Sequence, residues 1–224
     1  MKLPFSPYDF FGYLSSGLAA VIGFDVLING QPTWSWGHDL TSSEIILLTF
    51  LAYILGQVIA SPSKLFLETF CAKYILGDPV KNLMRDQRPI IIGWLLFEYF
   101  TPLDEGTRSR VRDVAKLHGV TTWDNKLFFL AWSLVKRDDS TMVRLNSFRD
   151  QYGFNRNVSF TFLTLGFVGL VTHMTKDNFP PLAWICLAII IGSGLFVRFL
   201  KFYRHYSWEV LVRFSIPKDP KANA

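Results

Sequence analysis

The chain reads as an all-α integral membrane protein, with four transmembrane helices in two hairpins and a cytoplasmic helical domain inserted between them. Two observations predict this class. The first is four apolar runs, Phe10–Ile28, Ile45–Ala60, Val158–Met174 and Leu182–Phe199, interrupted by no charge except Asp25 in the first and Arg198 near the end of the last. A hydrocarbon core of about 30 Å takes roughly 17–25 helical residues to cross. In lipid each run must satisfy its own backbone hydrogen bonds, which makes helices the form they take. A single run of this length would also suit a buried core helix, but four of them in two closely spaced pairs favour the bilayer.

The second observation is the distribution of Lys and Arg. Of 23 bases, 15 lie in Lys64–Arg156 and six between Arg198 and the end, while Asn29–Glu44 holds none and Thr175–Pro181 only Lys176. Bases stay on the cytoplasmic side, so both termini and the long middle segment are expected there. Half the residues are hydrophobic and 18% are charged, with a formal net charge of +5. The middle segment carries 15 bases against 11 acids, ordinary for a cytosolic face, and the tail from Arg198 carries six against two and is the more basic part; neither implies a nucleic-acid partner. Cys71 and Cys186 have neither disulfide-framework nor metal-site spacing.

In chain order, Pro4 and Pro7 keep the start extended and Asp9 is the expected N-cap of the first helix. With no A-x-A site after it, Phe10–Ile28 reads as a retained signal anchor. Gly12, Ser16 and Ala20 recur at four-residue spacing, the pattern that lets helices approach closely in lipid and self-associate. Trp34 and Trp36 suit the outer interface. Thr41 and Glu44 have capping-box spacing for the second helix, and Ser61-Pro62 is expected to end it. Lys64–Leu76 follows as a helix broken at Gly77-Asp78-Pro79. Ile90–Phe100 is an apolar run too short to span. Thr107–His118 is amphipathic and closes at Gly119. Thr122–Arg137 and Asp139–Tyr152 follow, the latter expected to stop at Gly153 before the third span. The domains drawn from this reading are 1–62, 63–157, 158–200 and a basic aromatic tail, 201–224.

Few residues carry chemistry. No P-loop, GxGxxG, H-E-x-x-H, CxxC or G-x-S-x-G occurs, and no cofactor or metal set is expected. Asp25 is the one acid inside a predicted span; it either snorkels to the interface or lines a pathway. In the tail, Lys201, Arg204 and Arg213 with Trp208 and neighbouring rings fit a helix meeting an anionic leaflet. His118 ends its helix beside the C-terminal dipole, a structural place for a histidine.

The stretch Arg112-Asp113-Val114-Ala115-Lys116-Leu117-His118 resembles the Arg-(Asn/Asp/His)-x-x-x-x-His signature of HEPN ribonucleases, all-helical domains that pair to cut RNA without metal. The resemblance implies that His118 would act as acid or base and Arg112 would stabilise phosphate charge. It also connects the chain with membrane accessory proteins of RNA-guided bacterial defence. Phe5-Ser-Pro-Tyr-Asp-Phe-Phe-Gly-Tyr-Leu and Phe202-Tyr-Arg-His-Tyr-Ser resemble pieces of uncharacterised bacterial four-span inner-membrane proteins, which implies no activity but makes a bacterial inner (plasma) membrane the expected home.

The expected function is non-enzymatic: a self-associating membrane component, pore-forming or bilayer-perturbing, in bacterial defence. Its expected partners are the lipid bilayer, further copies of itself and a cytoplasmic protein. The rivals are a HEPN-like membrane-bound ribonuclease and a membrane scaffold that recruits such a partner.

Overall fold

The computed structural model describes residues 7–29, 41–85, 96, 98–176 and 179–216, with side chains from Phe10 onward. All regular structure among them is helical. Among the described residues four helices are long and apolar enough to cross a membrane: Phe10–Asn29, Ser42–Met84, Asp139–Thr175 and Leu182–Phe214. The expected outer-loop residues Trp34 and Trp36, and most of Ile90–Phe100, lie outside the described residues.

Helix α1 is Pro7–Asn29, so it starts two residues before the expected cap at Asp9. Proline is at home at a first helical position, where its missing N–H would have had no partner. Helix α2, Ser42–Ser63, opens on the expected capping box: Thr41 N–H donates to Glu44 Oε2 at 2.8 Å and Glu44 N–H to Thr41 Oγ1 at 3.4 Å. Pro62 does not end it. The chain continues without a break into a π-helix, Lys64–Ile75. Proline removes one i→i−4 bond and crowds the preceding turn, and the wider winding begins directly after it. The break comes at Gly77, with φ of +87°, where Asp78 caps the short α3, Pro79–Met84.

Helix α4 is Glu105–Leu117, capped by Asp104. It ends in a Schellman turn: Val120 N–H donates to Ala115 O and Gly119 N–H to Lys116 O, both at 2.9 Å, with Gly119 at φ +73°. Helix α5 is Asn125–Val135. Helix α6, Asp139–Thr175, passes through Gly153 without stopping there. A helical glycine costs about 1 kcal/mol relative to alanine, too little to end a helix of this length. Helix α7 runs Leu182–Phe214, so the basic aromatic tail continues the fourth apolar run.

The chain divides into two compact units. The first comprises Met1–Cys71 and Asp150–Phe199, the second Ala72–Arg149 and Leu200–Ala224. In the first, helices meet where side chains are missing. A Cβ on Gly17 would strike the Ala52 carbonyl of α2, and one on Gly56 would strike the Tyr13 carbonyl of α1. Gly166 lies against Ile189, and Gly192 against Leu163, so α6 and α7 pack by the same device. The second unit has an ordinary aliphatic core, built on Leu83, Val111, Leu127, Leu145, Val210 and Leu211, each at most 1% exposed.

Candidate functional site

Within the apolar first unit lies one polar network whose members are 88 to 94 residues apart in sequence. Arg156 Nη1 donates to Glu68 Oε2 at 2.6 Å; the Glu68 side chain is buried and that of Arg156 mostly so. Arg156 also donates from Nε and Nη2 to Asn157 Oδ1, at 3.3 and 3.2 Å. Ser63 Oγ reaches the same Oδ1 at 2.6 Å. Further along α6, Thr161 Oγ1 donates to Asn157 O, and Ser159 Oγ donates to Gly192 O at 2.7 Å. Ser63, Asn157, Ser159 and Thr161 are all buried.

The π-helix is what assembles this network. With 3.6 residues per turn, Ser63 and Glu68 would point about 140° apart on an α-helix. Winding with i→i+5 bonds returns residues five apart to nearly the same side, so both can face α6. The rings of Phe66 and Phe160 also stack, with centroids 6.0 Å apart, a further contact between the π-helix and α6. A buried pair in such surroundings is held by mutual neutralisation, and removing one partner typically costs about 3–5 kcal/mol. Polar pairs within apolar helices more often mark a working site than a stabilising one.

Sequence reasoning singled out neither Glu68 nor Arg156. The available signal was their position at the edges of apolar runs. Glu68 sits between Phe66 and Phe70, and Arg156 lies two residues before Val158.

The residues expected to matter fall elsewhere. Gly12, Ser16 and Ala20 are buried within the chain itself; Gly12 lies against Phe154 of α6, and the Ser16 hydroxyl is 3.0 Å from both Gly12 O and Tyr13 O. That stripe packs helices of one chain. Asp25 Oδ1 accepts from Asn29 Nδ2 at 2.7 Å, one turn on, at the end of α1.

The tail bases have protein partners. Lys201 Nζ is 3.1 Å from Glu98 Oε1, and Arg204 Nη2 donates to Thr101 O at 2.7 Å. Arg213 Nε donates to the buried Glu209 at 3.2 Å. Trp208 packs on the second unit's core, and Val210, Leu211 and Phe214 are part of that core.

Arg112 and His118 are not brought to one site. The Arg112 guanidinium lies 5.8 Å over the Trp123 ring and 3.8 Å from Glu105. His118 is exposed at the end of α4, on a cleft of about 440 Å³ that it shares with Arg137, Asp138 and Arg213 but not Arg112. Among the described residues no group of three His, Cys, Asp or Glu could hold a metal ion. No family model, curated protein or solved structure matches the chain.

Proposed function

We propose that the protein is a non-enzymatic, self-associating component of a bacterial inner membrane, and that its four-span unit perturbs or opens the bilayer in a defence response. The observation that carries this reading is the Glu68–Arg156 pair with Asn157 and Ser63, set in the unit that holds most of the apolar length of the four long helices. The pair ties the π-helix to α6, and loss of either charge removes the ion pair that joins them. It therefore acts as a latch between two helices.

Self-association rests on a different face from Gly12, Ser16 and Ala20, which the chain covers itself. The side chains of α2 that stay exposed, such as Ile46, Phe50 and Val58, are available to a second copy or to lipid.

Dye release from vesicles holding the purified protein tests the proposal. Wild type should release dye slowly. Glu68→Gln and Arg156→Gln should each release it several-fold faster, and the exchanged pair Glu68→Arg, Arg156→Glu should return towards wild type. Release at the protein-free rate by all four would overturn the reading.

A further inference from the structure

One face of α1, recurring at three- and four-residue steps from Ser15 through Ile22 to Leu27, borders a cavity of about 450 Å³. Phe162 of α6 and Trp184 and Ala188 of α7 line it too, so it lies wholly within the first unit. A Cβ on Gly23 would strike Leu165, and one on Gly169 would press on Leu27 and Ile185. Helix α6 is therefore held against both of the other helices while this space stays open. Leu18, Ile22, Trp184 and Leu187 are 36%, 38%, 42% and 45% exposed, which opens the cavity sideways.

The lining selects by chemistry. None of its side chains carries a charge, and the Ser15 hydroxyl and the Trp184 indole are its only polar side-chain groups. A buried water takes about two to four polar partners, so water does not fill such a space. The shape selects further. Ser15 to Leu27 covers about 18 Å of helix, and 450 Å³ drawn out over that length is a bore about 6 Å across with about 300 Å² of wall. A helix with its side chains is about 10–12 Å across. A specific protein interface takes about 800 Å² from each partner. A second copy of the chain fits neither figure, whereas one uncharged polymethylene chain fits the bore, the length and the lining.

We infer that this cavity holds one acyl chain of a bilayer phospholipid. Leu27 closes the outer end of the first apolar run, and Trp184 is near the outer start of the fourth. In the orientation that the Lys and Arg distribution predicts, the cavity begins at the outer headgroup level and runs inward, the course of an outer-leaflet acyl chain. Its methylenes supply the dispersion contacts that an empty bore would forfeit along its whole wall. The inference rests on the four-span reading, though not on bilayer opening.

The test reconstitutes the full chain in phosphatidylcholine vesicles containing a phosphatidylcholine with a photoreactive diazirine midway along one acyl chain. Adducts are mapped by peptide mass spectrometry. Phe50 of α2 is the internal reference: it lies at a similar depth in its own apolar run and is 61% exposed, against 38% for Ile22. Contact with bulk lipid alone therefore labels Phe50 more heavily. A held chain should reverse that order, with the Ile22 peptide labelled several-fold above the Phe50 peptide. Ala19→Phe with Ala188→Phe, which fills the cavity, should bring Ile22 below Phe50 and leave Phe50 unchanged. Ile190→Phe, at an exposed site on α7, should leave both at their wild-type values. Phe50 above Ile22 in wild type, or an Ile22 signal untouched by the filling variant, would overturn the inference. So would an unlabelled Ile22 beside a labelled Phe50, the outcome for a cavity covered by a second copy. No adduct on either peptide would defeat the four-span reading itself, and the inference with it.

Discussion

Arg112 and His118 show how a short motif differs from a site. Both lie on or at the end of α4, six residues apart, and a helix turns them roughly 120° from one another. Arg112 is held between Trp123 and Glu105, and His118 opens onto the cleft with Arg137 and Arg213. Metal-free RNA cleavage needs both groups on one phosphate. The detergent-solubilised protein should therefore leave RNA intact without divalent metal, as should an Arg112→Ala, His118→Ala double variant. Cleavage by wild type that disappears in the double variant would restore the ribonuclease reading. Residues whose role depends on near neighbours were legible in the sequence, as the Thr41–Glu44 capping box and the Gly119 stop show. Glu68 and Arg156 were not, because their role exists only once 88 residues of chain have returned and a π-helix has turned Glu68 inward.

Helices were legible as elements wherever hydrophobic run length decides, and less so where a single residue was read as a stop. Pro62 and Gly153 both look like breakers, yet the chain continues through them, since extended helix-on-helix contact outweighs about 1–3 kcal/mol of local preference. The glycines that matter are those at crossings. Gly56→Leu would drive its side chain into the Tyr13 backbone and should lower stability by at least about 1–3 kcal/mol. Gly153→Ala, with nothing within 4 Å, should raise it by up to about 1 kcal/mol. Thermal melts in detergent compare the two; equal shifts would contradict the packing described.

The N-cap of α4 makes a pH prediction. The Thr107 backbone N–H, and then its hydroxyl, hold the Asp104 carboxyl below its ordinary range. A depressed carboxylate stabilises the fold above its unfolded value and loses that contribution as pH falls below about 4. Asp104→Ala should cost about 1 kcal/mol at neutral pH and measurably less well below that range. A pH-independent effect would show that the cap is not acting through its charge.

For the whole molecule, the sequence predicted a helical chain with four spans, and the structure has four helices of sufficient length and apolarity. It did not predict that α6 and α7 would each supply residues to two units, or that the tail bases would turn to Glu98, Thr101 and Glu209. Charge spacing along one helix carries no information about which distant carbonyl or carboxylate meets it. The latch bears on a bilayer only if the four helices cross it, with both termini and 64–156 on the cytoplasmic side. Paired reporter fusions, one active only in the cytoplasm and one only outside, placed at Gly37, Val120 and Lys176, measure this most directly. The charge distribution requires Gly37 and Lys176 outside and Val120 inside; Val120 outside, or all three on one side, would contradict it.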